Sequence, residues 1–241
     1  MDVRVGCCGF PRSRATYFAR FRLVEIQQTF YQLPRLETAL RWRAEAPPGF
    51  EFCLKAWQCI THPAGSPTYR RLRQALAPEA RQQVGFFRPT AEVEAAWQRT
   101  REVAEALQAS VIVFQCPPRF HPTPEHVANL RRFFERVDRG PFRLAWEPRG
   151  PWPLDLVGSL CRDLQLTHVV DPFLSPPIAQ EMAYFRLHGA GRYRYRYTPE
   201  DLATLARRCG EFERTYVLFN NLSMWLDASA FLREYASGEM G

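Results

Sequence analysis

SVIVFQCPPRFHPTPEHVANLRRFFERVDRGPFRLAWE, residues 110–147, holds one strand, one helix and a second strand. The run SVIVFQC from Ser110 is apolar and β-branched with little strict alternation, as expected of a strand covered on both faces of a parallel sheet. Pro124–Val137 reads as a helix, with Thr123 as its cap and Pro124 at the first helical position, where a missing N–H costs nothing. FRLAWE from Phe142 reads as the next strand. Two parallel strands joined through a helix form the repeating unit of α/β folds.

The same unit recurs along the whole chain. Strand-like runs are VRVGCCG from Val3, LVEIQQTF from Leu23, FEFCLKA from Phe50, THVVD from Thr167, AYFRLHG from Ala183 and TYVLFN from Thr215. Helical spacing marks 36–46, 69–84, 92–109, 154–164, 199–208 (capped by Thr198) and 228–235. Eight strands alternating with helices in 241 residues predict an α/β chain forming a single (β/α)8 TIM-type barrel over 1–241, somewhat irregular, with truncated first and sixth helical segments. A doubly wound open sheet is the alternative, but GCCGF after the first strand lacks the spacing of a dinucleotide loop, and no organic cofactor motif is present.

Composition narrows the function classes. No stretch is long and apolar enough to span a bilayer. The N-terminus enters a strand pattern at once, without a charged-then-apolar leader. The seven cysteines are scattered without CxxC or zinc-type spacing and read as free thiols in apolar runs, which predicts a reduced, cytoplasmic setting. Cys7 and Cys8 are adjacent, so their side chains point to opposite sides of a strand.

The net charge is +7, which is compatible with a nucleic-acid or other polyanionic partner, although arginine is spread along the chain. The densest cluster is RYRYRY at 192–197. On a loop it would contact phosphates through Arg and stack bases on Tyr; on a strand it would present one charged and one aromatic face. Of 32 Lys and Arg residues only Lys55 is a lysine. Lysine is a compact amine that can lose its proton, so a lone survivor marks a position where a cation alone was not enough.

In a barrel the carboxyl ends of the strands build the active site. Those ends are polar here: Glu25 and Gln27 after the second strand, Lys55 with Thr61 and His62 after the third, Gln115 after the fourth, Glu147 and Arg149 after the fifth, Asp171 after the sixth, Arg186 and His188 on the seventh, Asn220 and Asn221 after the eighth. A buried polar group without a partner costs roughly 1–3 kcal/mol, so a ring of them predicts a cavity lined for a polar ligand. Paired charges in a barrel interior are the structural alternative.

The segments VEIQQTFYQLP, GFEFCLKAWQCITHP, VFQCPPRF, LAWEPRGPW, VVDPF, YFRLHG and YVLFNN, in this order, resemble the YecE-like family, known as domain of unknown function 72. The resemblance covers nearly the whole chain. It implies a (β/α)8 barrel and no particular reaction. The family's recurrent polar positions match Glu25, Lys55, Thr61, His62, Gln115, Glu147, Arg149, Asp171, Arg186, His188, Asn220 and Asn221. Three places depart from it: GCCGFPRSRATYF is short and lacks a Trp, Gln27 stands where Asn is common, and Gly150 stands where His is common.

The expected function is that of an enzyme, a hydrolase ahead of a lyase or isomerase, acting on an anionic substrate, a phosphorylated or carboxylated metabolite or a nucleic-acid fragment. Lys55, Glu25, Glu147, Asp171 and His188 are the candidate catalytic groups. Arg149, Arg186, Gln115, His62, Thr61, Asn220 and Asn221 are the candidate substrate contacts. Glu25 and Glu147 would serve as the carboxylate pair of a glycosidase variant. A divalent metal on Glu25, Glu147, Asp171 and His188 is not favoured, because cations crowd the same rim and no HxH or HExxH spacing occurs. The competing readings are a non-catalytic protein binding nucleic acid or an anionic ligand, and a scaffold without chemistry. No membrane partner is expected, and the oligomeric state is open.

Overall fold

In the computed structural model, which describes residues 2–73 and 75–236, the eight strands follow one another in sequence order around a closed parallel barrel. The chain has the (β/α)8 TIM-type fold. By internal contacts it forms two compact units, Met1–Ile26 with Pro47–Glu51 and Thr167–Gly241, and Gln27–Ala46 with Phe52–Leu166.

In the first unit, β1 (Asp2–Cys8) is followed by the five-residue helix α1 (Arg14–Phe18) and by β2 (Leu23–Ile26). In the second unit, α2 (Gln28–Tyr31) and α3 (Leu36–Glu45) precede β3 (Glu51–Lys55, whose first residue belongs to the first unit) and α4 (Gln58–Thr61). Then come α5 (Ala91–Leu107), β4 (Val111–Gln115), α6 (Pro124–Arg136), β5 (Arg143–Glu147) and α7 (Leu154–Asp163). The first unit resumes with β6 (Thr167–Val170), β7 (Met182–Leu187), α8 (Pro199–Cys209), β8 (Arg214–Phe219) and α9 (Met224–Tyr235).

The caps follow the sequence. Thr123 accepts from the His126 N–H, and Thr198 with Asp201 forms a complete capping box ahead of Pro199. The first helical segment is short, and no helix lies among residues 171–181 between β6 and β7, as the truncated first and sixth segments predict.

Three local expectations fail. The segment 69–84 does not form a helix. Its described residues make two 3₁₀ turns, Pro67–Arg71 and Ala80–Gln82, and Gln74 lies outside the described residues. Pro78 explains this, since it removes an intrahelical N–H and clashes with the preceding turn. The LVEIQQTF run leaves the strand at Ile26 and turns into α2. Finally, α9 begins at Met224, four residues ahead of Ala228.

Each unit has its own aromatic core. In the first, Tyr17, Phe18, Phe21, Phe50 and Trp225 pack at ring distances of 4.7–6.4 Å. In the second, Phe87, Trp97, Phe114, Phe120, Phe133 and Phe134 pack at 5.0–6.1 Å. All seven cysteines are buried and free. The neighbours Cys7 and Cys8 do point apart, one thiol toward the Met224 carbonyl and the other toward the Glu25 carboxylate. Burial pushes the Cys7 thiol up to about 12, so it is no thiolate at neutral pH.

Candidate functional site

In the second unit, the carboxyl ends of β3, β4 and β5 bring four polar side chains into one line. Lys55 Nζ donates to Gln115 Oε1 at 2.6 Å, Gln115 Nε2 donates to Glu147 Oε1 at 2.9 Å, and Arg149 Nε donates to the same oxygen at 2.7 Å. Parallel register sets Gln115 beside Glu147, and Lys55 pairs with Val113, two residues short of Gln115, so its long side chain reaches along the strands to the amide. The Gln115 amide, with one acceptor and one donor turned to different neighbours, carries a hydrogen-bond path from ammonium to carboxylate. Lys55 and Glu147 are buried, whereas the Arg149 side chain keeps 37% of its exposure.

Lys55 is further enclosed by Phe30, whose ring centroid lies 3.9 Å from Nζ. This cation–π contact adds to the hydrogen bond that Nζ makes to Gln115. Thr29 Oγ1 donates to the Lys55 carbonyl at 2.7 Å and holds the end of β3. The edge of His62 meets the other residue of the group, Phe30, at 4.8 Å.

His62 Nδ1 and the Thr61 hydroxyl are 2.8 Å apart. Burial first, then the charges of Lys55 and Arg149, lower the imidazole from 6.5 to about 3. It is therefore neutral at physiological pH. Its position is set from two sides. The Tyr69 hydroxyl donates to the His62 carbonyl, and residues 85–87 return against α4, with Gly85 N, Phe86 N and Phe87 N donating to the carbonyls of Cys59, Thr61 and Ile60. Gly85 has φ +84, and a Cβ there would overlap the His62 main chain, so this return demands glycine.

Two tryptophans pack against the rim loops of the second unit. Trp146 Nε1 donates to Cys116 Sγ at 3.2 Å, and Trp152 Nε1 donates to the Phe120 carbonyl at 2.6 Å. A Cβ at Gly150 would collide with that same carbonyl. The 117–120 loop thus occupies the space that a side chain at position 150 would need, which accounts for one departure from the family pattern.

In the first unit, Glu25 and Arg186 form a two-point pair at 0% and 1% side-chain exposure, with Nη2 to Oε1 at 3.0 Å and Nε to Oε2 at 3.1 Å. Tyr184 donates to Oε2 at 2.8 Å and the Cys8 thiol to Oε1 at 3.6 Å. Asp171 accepts the main-chain N–H of Phe173 and of His188, and His188 Nδ1 lies 3.8 Å from its Oδ2. Asn221 Nδ2 donates to the Tyr195 carbonyl and to Asp227. Asn220 is tied through its main-chain N–H to Leu187.

Lys55, Gln115, Glu147, Arg149, Thr61 and His62 assemble in the second unit. Glu25 with Arg186, Asp171 with His188, and Asn221 with Asp227 form three sets in the first. Sequence reasoning missed Phe30, Tyr69 and Gly85. Phe30 was hidden in a run read as strand and Tyr69 in one read as helix. The pair Gly85–Phe86 was the one available signal, a glycine after a predicted helix. Among the described residues no group of three or more His, Cys, Asp or Glu side chains is placed to hold a metal ion, and no helix is long and apolar enough to cross a membrane.

A (β/α)8 barrel whose strands end in charged and amide side chains belongs to the class of folds that carry ligand chemistry on that rim. The chain belongs to the family described as protein of unknown function DUF72, which it matches over residues 11–236. It is similar to the UPF0759 protein YunF of Bacillus subtilis (strain 168), with 22% identity across 86% of this chain and 79% of that protein. Among solved structures it is similar to a DUF72 family protein of Enterococcus faecalis V583, at 20% identity, 98% coverage of both chains and a TM-score of 0.72. A DUF72 family protein of Thermotoga maritima MSB8 is similar at 22% identity, covering 97% of this chain and 98% of that one, with a TM-score of 0.68. At these identities the structural likenesses establish the fold.

Proposed function

We propose that this chain is an enzyme, a hydrolase of a small anionic and phosphorylated substrate, and that the array Lys55–Gln115–Glu147–Arg149 of the second unit holds the reacting group. The observation that carries the reading is the hydrogen-bonded line of this array. Arg149 bonds Glu147 directly and Lys55 joins it through Gln115, beside an imidazole kept neutral. An ammonium and a guanidinium at adjoining strand ends supply N–H donors that suit an anion.

Each group then has a role that its surroundings support. Arg149, half-exposed, meets the incoming anion. Lys55, caged by Phe30, Gln115 and the end of β3, contacts the group on which charge develops. Glu147 is anchored through Oε1 by two N–H donors, which orients the carboxylate to take a proton from an attacking water. If the Thr61 hydroxyl donates to Nδ1, the His62 Nε2 carries the remaining ring proton. It then donates a hydrogen bond to the leaving oxygen without changing its charge. The new bond joins the water oxygen to the phosphorus or carbonyl carbon, the ester bond breaks, and the leaving oxygen is protonated from solvent.

The test is a thermal-shift screen of sugar phosphates, nucleotides and carboxylate metabolites on the wild type, Lys55→Arg and Arg149→Ala. A ligand that binds only the folded chain raises the melting temperature by mass action, by several degrees at about 100 times Kd. The expected result is an anionic compound that stabilises the wild type, stabilises neither variant, and is consumed on incubation with the wild type. Stabilisation of both variants at the wild-type level would remove the array from the site. A compound bound by the wild type and never consumed would leave a binding protein.

A further inference from the structure

The six residues Arg192–Tyr197 alternate cation and aromatic, and the fold sends the two sets to different places. Tyr197 is buried, with its hydroxyl accepting the Gly189 N–H at 2.9 Å and its ring against Phe173 and Phe219. Tyr195 donates through its hydroxyl to Asp201 at 2.5 Å. The main chain is tied down along its length. Arg192 N bonds the Gly189 carbonyl, Tyr195 N bonds the Arg192 carbonyl, Leu222 N bonds the Tyr193 carbonyl, and Asn221 Nδ2 bonds the Tyr195 carbonyl. Two of the three tyrosines are thus anchors. What remains on the surface is Arg192, Arg194 and Arg196, and the ring of Tyr193 at 52% exposure.

The neighbouring loops extend this surface and leave its charge unbalanced. The segments that follow β1, β6, β7 and β8, residues 9–13, 171–180, 188–198 and 220–223, carry five formally charged side chains: Arg12, Arg192, Arg194, Arg196 and Asp171. The four arginines are exposed, while Asp171 is buried and occupied by two main-chain N–H groups. The side chains of Arg12, Arg192 and Arg194 make no hydrogen bond or ion pair among the described residues, and Arg196 stands 3.9 Å from Asp227 at 70% exposure, too open for a strong pair. Beside Tyr193 lie two exposed leucines. Leu174 is at 59% and abuts Gly191, and Leu222 is at 62% and is bonded through its main chain to Tyr193.

We propose that this face of the first unit binds single-stranded nucleic acid, with phosphates on Arg192, Arg194 and Arg196 and a base stacked on Tyr193. Cations interleaved with an exposed ring are what a single strand requires, because its backbone is a polyanion and its base faces are free. A small phosphate would use one or two of these arginines and neither the ring nor the leucines. A lipid surface fits less well, since burying Tyr193 in hydrocarbon would carry Arg192 and Arg194 in with it. The proposal uses no residue of the Lys55 array and stands or falls apart from it.

The experiment is fluorescence anisotropy of a labelled oligothymidylate with the full chain, titrated between about 50 and about 200 mM NaCl. Three phosphate contacts predict that log K falls against log salt with a slope of about −2, roughly −0.7 per contact. The double variant Arg192→Ala/Arg194→Ala is expected to flatten the slope by about 1.4, and Tyr193→Ala to weaken binding about tenfold at unchanged slope. Arg41→Ala, an exposed arginine on α3 of the second unit, is expected to leave the slope as it is. All these positions are exposed, so unchanged melting temperatures confirm that the variants fold. The proposal is overturned by absence of saturable binding at the lowest salt, or by equal slopes in the wild type and the double variant. It is also overturned if Arg41→Ala flattens the slope as much as the double variant, or if the protein binds phosphatidylserine vesicles and not the oligonucleotide.

Discussion

The two units handle buried charge in opposite ways. In the first, Glu25 and Arg186 close on each other in a two-point pair without exposure, and Tyr184 and Cys8 add further donors to the carboxylate. In the second, Glu147 shares one oxygen between Gln115 and Arg149, and the Arg149 side chain reaches solvent. The first arrangement is closed. Its charges satisfy each other, and its removal is felt in stability. The second is open, because the Arg149 side chain reaches solvent where a ligand can meet it, so its removal is expected to be felt in binding. Burial distinguishes the two arrangements where residue type does not, because both contain one Glu and one Arg.

The contrast breaks most readily at Arg186. Arg186→Ala leaves Glu25 buried opposite a void and should cost about 3–5 kcal/mol in chemical denaturation. Arg186→Lys, which keeps the charge but not the two-point geometry, should recover part of that. Next comes Gly85→Ala, which forces a side chain into the His62 main chain at φ +84. It is expected to cost about 3 kcal/mol, with loss of any ligand response that depends on His62.

A smaller effect concerns pH. The His62 imidazole is lowered from 6.5 to about 3, so the unfolded chain binds its proton at a higher pH than the folded chain does. Its contribution is complete above about pH 6.5 and is lost progressively as pH falls toward 3. Between pH 7 and 5.5 the loss should be about 1 kcal/mol, and the wild type should lose that much more than His62→Gln over the same interval. Equal pH slopes for the two would show that His62 protonates in the folded state. The smallest expected effect on stability is that of Arg149→Ala, under about 1 kcal/mol for a half-exposed ion pair, although it should abolish the anion response. A loss comparable to that of Arg186→Ala would erase the distinction between the open and the closed arrangement.

Much of this was legible in advance. The eight strand runs lie where their β-branched and aromatic composition predicts, and Thr123 and Thr198 cap the helices they precede. Where local chemistry competes with pattern, the reading goes astray. Residues 69–84 have helical apolar spacing, yet Pro78 forbids the helix, and Tyr69 is instead used to hold the His62 carbonyl. QQTF after Ile26 has strand-like composition, yet Thr29 bonds the Lys55 carbonyl and Phe30 covers the ammonium. The alternation RYRYRY was ambiguous between loop and strand. Its place on a loop, with two of three tyrosines turned inward, follows from hydrogen bonds to Asp201, Gly189 and Asn221, which are set by the fold.

By itself the sequence determined the class of fold, the order of its elements and the list of polar residues at the strand ends. These depend on periodicity, propensity and caps, all of which act over a few neighbouring residues. The tertiary structure alone decided which of those residues meet. Lys55, Gln115, Glu147 and Arg149 are drawn together by the register of three parallel strands, and Glu25 reaches Arg186 across 161 positions of chain. Register, burial and the pKa of His62 arise from groups distant in sequence, and no local pattern encodes a distance of that kind.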